Sequence, residues 1–410
     1  MKRLGRRLRI RSKASSLATK EVRLLVPTAP LIHAVARVVV VGISNSRRNE
    51  MNRGGLQSPP SIFLGGIIMN EPVFSLQWHI TTSCDQRCRH CYIYNSASAK
   101  LEIEGESRMD RTRLYAIADD LVISSQRLGS RPRVSLTGGN PLLHPDFWAL
   151  LSYLGEKKVR VNIMGNPFGL TDVALRRLKE SGVTTFQLSL DGMEKTHDSF
   201  RSEGSFRATV EAIAKLQRSG IRAVVMSTVS KGNADDLLRL IDFVAEIGVD
   251  AFSFARYCPT HGDIDESFSP VEYRAFLEKV WASYNRLSSG KTEFILKDHL
   301  WTLFLWEKGL FSPQPTDGII VSGCGVGVSH LTVLADGSVY ACRRFRSPLG
   351  RVPEQSLYDI FLGGNMEEYR NFSSMEKCNN CQLLSYCRGC MAVSYGVMGR
   401  WTAADPQCWK

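Results

Sequence analysis

The side chains best suited to chemistry in this chain are its eleven cysteines, and their spacing is far from random. Cys84, Cys88 and Cys91 fall within eight residues, in "CDQRCRHC". Seven more, Cys324, Cys342, Cys378, Cys381, Cys387, Cys390 and Cys408, crowd the C-terminal end, and Cys258 stands alone between the groups. Three thiolates so close together cannot share one face of a strand, so they need a loop wrapped around a guest. Three ligands leave one iron of a four-iron cube open for a small molecule. A zinc site completed by His90 is the alternative, although zinc ligands usually come as two separated pairs. Pairs at two-residue spacing in a long chain point to metal binding in a reducing compartment rather than to a disulfide framework. Cys258, in "RYCPTHGD", reads most simply as a packed thiol.

Something must hold these residues in register. From residue 73 to about 256, short β-branched runs alternate with amphipathic stretches. The spacing predicts strands over 74–80, 133–137, 159–164, 184–190, 222–228 and 250–256, with helices around 109–128, 146–157, 171–182, 205–218 and 233–247. Six such repeats imply parallel pairing with right-handed crossovers, an α/β fold built as an open, partial (β/α)6 barrel. The polar residues follow the strand ends. The cysteine triplet comes after the first strand, Gly138-Gly139-Asn140-Pro141 after the second and Asn166 after the third. Ser189 and Asp191 close the fourth, Ser227 ends the fifth and Arg256 the sixth. In barrel-like folds that rim is where chemistry is assembled.

The 410 residues divide into a basic extension (1–68), the barrel (69–262), a helical bridge (263–320) and a cysteine-rich end (321–410). The net charge of +12 suggests nucleic acid at first sight, but residues 1–53 carry thirteen of the Lys/Arg against two acids. The rest of the chain is nearly neutral, which argues against a nucleic-acid partner. The extension reads as disordered or as lying upstream of a true start at Met69. No run is long and apolar enough to span a bilayer, so the expectation is a soluble cytoplasmic protein without a membrane partner.

The triplet, with "LTGGNPLLHPDF" and "LSLDGMEKTHDSFR", resembles the radical S-adenosylmethionine (SAM) superfamily. The resemblance implies that Cys84, Cys88 and Cys91 hold a [4Fe-4S] cluster that cleaves SAM to a 5′-deoxyadenosyl radical. It places the SAM contacts at Gly138, Gly139, Asn140, Asn166, Ser189, Asp191, Arg201, Ser227 and Arg256. Asn140 stands where the family usually has Glu, which keeps an acceptor oxygen but loses the charge. The Gly337-x4-Cys342 step and the Cys378-x2-Cys381-x5-Cys387-x2-Cys390 run resemble the SPASM extension of peptide- and protein-modifying members. That resemblance implies one auxiliary cluster on Cys378, Cys381, Cys387 and Cys408. A second, on Cys324, Cys342 and Cys390, is left one ligand short, its open iron free for a substrate thiolate. Two structural zinc ions are the alternative the spacing also permits.

The implied activity is modification of a ribosomally made, Cys-containing precursor peptide, with thioether cross-linking the expected product. It needs SAM, three [4Fe-4S] clusters and a flavodoxin- or ferredoxin-type electron donor. "GGNPLLHPDF" and "KDHLWTLFLWEKGLF" resemble the branch that includes thio(seleno)oxazole-type maturases. A formylglycine-forming anaerobic sulfatase maturase is the nearest alternative. A non-catalytic Fe–S or zinc protein is the remote one.

Overall fold

The structure, a computed structural model, describes residues 72–94, 103, 109–259 and 264–410. The expected basic extension therefore lies outside the described residues. Six strands, β1 (Val73–Thr81), β2 (Arg131–Gly138), β3 (Arg160–Met164), β4 (Thr185–Ser189), β5 (Arg222–Val229) and β6 (Ala251–Arg256), pair in parallel, each with the next. The crossovers run through α1 (Arg111–Arg127), α2 (Phe147–Glu156), α3 (Asp172–Glu180), α4 (Glu194–Phe200), α5 (Ser205–Arg218) and α6 (Ala234–Glu246). Local chemistry starts several of them. The Asp110 carboxylate accepts from Arg113 N–H, and the Thr171 hydroxyl accepts from Ala174 N–H. α4 escaped the sequence reading because seven mostly polar residues carry no helical stripe.

Strand patterning explains the barrel's two faces. Phe74, Leu76, Trp78 and Ile80 are all buried under the helices, as are Val134 and Leu136 and then Phe186 and Leu188. The alternate positions, Ser75, Gln77, Ser135, Asn162, Thr185 and Gln187, point inward and line a cavity of about 300 Å³. Full parallel barrels fill that interior with branched apolar side chains. Here it is a chamber in which polar side chains stand beside Met164 and Val224.

The sheet continues past both barrel edges. β7 (Glu293–Phe294) pairs with β6, and β8 (His330–Val333) pairs in parallel with β1. β9 (Ser338–Tyr340) and β10 (Pro348–Arg351) complete an antiparallel meander, so the order is β10-β9-β8-β1-β2-β3-β4-β5-β6-β7. The cysteine-rich end is thus docked by hydrogen bonds onto the strand that leads to the cysteine triplet. Between them, α7 (Pro270–Leu287) starts in a capping box of Ser269 and Glu272. α8 (Trp301–Glu307) begins only after Asp298, which turns aside to accept from Leu300 N–H and from Arg256. The C-terminal third adds α9 (Leu357–Leu362), α10 (Gly364–Glu368) and α11 (Met391–Met398) among loops.

Candidate functional site

β1 delivers the chain to the Cys84–Cys91 loop, and β2 ends directly against it. Gly139 N–H donates to Thr81 O at 2.9 Å and Asn140 N–H to Ser83 O at 2.8 Å. A Cβ on Gly138 would lie 2.1 Å from Thr81 O, and one on Gly139 2.1 Å from Ser83 O. No side chain fits there, and Gly138 in addition holds φ at 139°. The sequence suggested a glycine pair open to a ligand. What it approaches is the cysteine loop's own backbone.

Asn140 is buried and its amide is used in full. Nδ2 faces Asp85 Oδ2 at 3.2 Å and Asn166 Oδ1 at 3.1 Å, while Oδ1 accepts from Leu142 N–H at 3.2 Å. Asn166 Nδ2 donates to Asp85 and lies 3.7 Å from Cys84 Sγ. The two amides therefore aim the Asp85 carboxylate at the rim, a residue the sequence reading passed over. The negative charge missing at position 140 is present one side chain away, on the residue after Cys84.

On the other side, Arg201 Nη1 lies 3.7 Å from Cys88 Sγ while its Nε donates to Asp191 Oδ2 at 2.7 Å. Asp191 is fully buried, and Oδ1 accepts from Thr228 N–H at 2.9 Å. Burial opposes its ionisation, but Arg201, followed by His90 and the Thr228 N–H, outweighs that and holds the carboxyl at about 2. Asp191 anchors Arg201 with both of its oxygens engaged. Ser227 Oγ donates to Leu190 O at 2.5 Å, which ties β5 to the end of β4. Ser189 is the last residue of β4, partly exposed at the rim. Arg256 is committed elsewhere. Its guanidinium is buried and donates to Asp298, Asp405 and Gln407 at 2.8 to 2.9 Å. It joins the barrel to the C-terminal segment, so the rim position that suggested a cofactor contact is a clamp.

The C-terminal thiols form two groups. Cys378, Cys381, Cys387 and Cys408 act electrostatically on one another. Burial, followed by its thiol neighbours, pushes Cys378 up to about 12. Cys324, Cys342 and Cys390 gather separately, burial again leading, and Cys342 is likewise pushed up to about 12. Protonated buried thiols beside N–H donors suit a group that displaces their protons on binding. Among the described residues no three His, Cys, Asp or Glu side chains converge tightly enough for a single ion. Tyr92 bridges the first triplet and the Cys324–Cys342–Cys390 group, within electrostatic reach of both Cys91 and Cys342 and beneath the Arg343 guanidinium at 5.2 Å.

Residues 78–244 match the model of the Radical SAM superfamily, and residues 324–391 match SPASM, an iron-sulfur cluster-binding domain. The chain belongs to the radical SAM superfamily and is a SPASM-bearing radical SAM enzyme. It is similar to an AdoMet-dependent heme synthase of Methanosarcina barkeri, at 26% identity over 81% of this chain and 95% of the relative. It is also similar to the sporulation killing factor maturation protein SkfB of Bacillus subtilis, at 24% identity over 75% of this chain and 68% of the relative. Among solved structures, Streptococcus suis SuiB bound to its precursor peptide SuiA superposes with a TM-score of 0.61 at 20% identity, covering 78% of this chain and 72% of SuiB. The α/β barrel with its C-terminal extension is thus a fold shared with SuiB. Among the described residues no helix is long and apolar enough to cross a membrane.

Proposed function

We propose that this enzyme matures a ribosomally made precursor peptide by joining a cysteine sulfur to a carbon of the same peptide. The observation that carries the reading is the chamber inside the barrel. Arg133 and Lys297 line it beside His330, whose imidazole is lowered by burial to about 4 and so stays neutral, and among the described residues no Asp or Glu lines it. Cations without an acidic partner suit a thiolate or carboxylate of the substrate. At about 300 Å³ the chamber holds a side chain or two. It lies at the lower bound of ligand pockets, which run from roughly 300 to 1,000 Å³, and is tight for a tetrapyrrole. Similarity to SkfB and the fold shared with peptide-bound SuiB support the same substrate class.

Cys84, Cys88 and Cys91 would hold the first cluster, with Asp85 offering its carboxylate to the SAM amino group. The two C-terminal thiol groups would hold auxiliary clusters. Bound SAM and these clusters supply a hydrogen-abstracting radical and an electron sink. The protein's own residues do the rest. The polar walls orient the peptide, Lys297 and Arg133 hold its anionic group, and Arg201 donates toward Cys88. In the net reaction one C–H and one S–H bond break and one C–S bond forms, so the peptide loses two hydrogens. The carbon's hydrogen leaves as an atom to the abstracting radical, the thiol's leaves as a proton, and the remaining electron would pass to the electron sink.

A tetrapyrrole substrate is the second reading, favoured by the heme synthase's 95% coverage. Anaerobic co-expression with a Cys-containing peptide encoded nearby, followed by mass spectrometry, separates them. A loss of two hydrogens that resists thiol reductant and vanishes in Cys84→Ala supports the maturase. An unchanged peptide mass beside an iron-loaded, SAM-cleaving enzyme refutes it and moves the substrate to the tetrapyrrole class.

A further inference from the structure

Cys258 belongs to no recognised motif. It lies after the radical SAM match ends at residue 244 and before the SPASM match begins at 324. A packed thiol keeps apolar company. The Cys258 thiol instead makes a hydrogen-bonding contact with the thiol of Cys390 and accepts from Arg344 Nη1 at 3.4 Å. Cys342 also lies within electrostatic reach of it, and Cys324, Cys342 and Cys390 are within reach of one another. Four thiols therefore gather where the motif spacing supplies three.

Two independent restraints bring Cys258 there. Asp405 accepts from Arg256 Nη1 and Nη2, each at 2.8 Å, and its Oδ2 also accepts from Cys390 N–H at 2.8 Å. One carboxylate thus ties the residue two before Cys258 to the backbone of Cys390. The following residue is pinned as well. A Cβ on Gly396 in α11 would lie 2.2 Å from Pro259 O, so the chain after Cys258 rests directly on the helix that Cys390 begins.

We propose that Cys258 is the fourth thiolate of the second auxiliary cluster, with Cys324, Cys342 and Cys390, and that Arg344 donates to its sulfur. The inference rests on the auxiliary clusters of the function proposed above and changes what one of them does. With four protein thiolates no iron remains for a substrate thiolate. The substrate cysteine is then held by the chamber's cations, and the cluster serves as an electron acceptor. Arg344 extends that link, since its charge reaches both Cys258 and Lys297.

The test uses full-length chain in which Cys84, Cys88 and Cys91 are all replaced by alanine, so that only auxiliary clusters contribute. Iron per chain and the EPR spectrum of the reduced, anaerobically reconstituted protein are measured with and without cyanide. The parent should ignore cyanide. Adding Cys258→Ala should either remove about four irons or create a cyanide-responsive site. Cys258→Ser should keep the iron and shift the g-values, and it gives the reading if the alanine variant does not fold. An unchanged iron count, spectrum and cyanide response in Cys258→Ala and Cys258→Ser overturns the ligand assignment, as does a parent that already responds to cyanide. A parent with iron for only one cluster overturns the ligand and the three-cluster reading together. Peptide mass in the otherwise wild-type enzyme is a separate readout and tests the maturase reading on its own.

Discussion

Two charged side chains at the site have tasks that their neighbours define. Asp85 is steadied by the amides of Asn140 and Asn166, so a carboxylate faces the rim although position 140 has none. Asp85→Asn should weaken SAM binding by about tenfold, the scale of one charge-assisted hydrogen bond. Isothermal titration on the iron-loaded protein would read this, and unaltered affinity would remove Asp85 from the SAM site. Lys297 lines the chamber with its side chain exposed, while the surrounding protein still desolvates its ammonium. Burial first, then Arg344 and Arg133, lowers it to about 8. The folded state therefore binds this proton less well than the unfolded chain, whose lysine titrates near 10.5. That loss of stability is fully present below pH 8 and relieved between about 8 and 10.5. Substrate binding runs the other way. The KM for the peptide should climb as pH rises through 8, and Lys297→Met should raise KM at pH 7 and flatten the profile. A steep profile retained in the variant would exclude Lys297.

At the scale of elements, the decisive contact is the end of β2 against the cysteine loop. Gly139→Ala would force a methyl to within 2.1 Å of Ser83 O and 2.7 Å of Thr82 O, so the backbone of the cysteine loop itself would have to shift. The expected outcome is loss of the first cluster, about four irons, with the far-UV spectrum kept. Full iron retention would show that the loop can shift. The strands and the five longer crossover helices were legible in the sequence because each carries its own period, two for strands and 3.6 for helices. The same alternation held a message the initial reading passed over. Ser75, Gln77, Ser135, Thr185 and Gln187 are polar at inward positions of β1, β2 and β4, which marks a chamber rather than a packed apolar interior. The short α4, α9 and α10 were illegible, since seven, six and five residues are too few to establish a period.

Across the whole molecule, the β1–β8 ladder and Arg256 are two of the links that join the barrel to the C-terminal end. Removing one partner of a buried ion pair costs about 3–5 kcal/mol. Arg256→Met leaves Asp298 and Asp405 buried without it, so denaturant unfolding should show a loss of that size, with the auxiliary iron released first. A variant as stable as wild type would mean that the remaining contacts carry the junction without Arg256. Iron removal by chelation should likewise raise hydrogen exchange over residues 321–410 far more than in β1–β6, because that end has little regular structure to hold it. The sequence by itself determined the chemistry. The Cys84-x3-Cys88-x2-Cys91 spacing, the paired C-terminal cysteines and the strand periods are local, and local patterns survive in a one-dimensional string. The tertiary structure decided which residues meet. It turned Arg256 from the rim to Asp405, placed Asp85 beside Asn140 and carried Cys258 to Cys390 across more than a hundred residues. Such encounters depend on the chain's closure in space, and no spacing along the sequence encodes them.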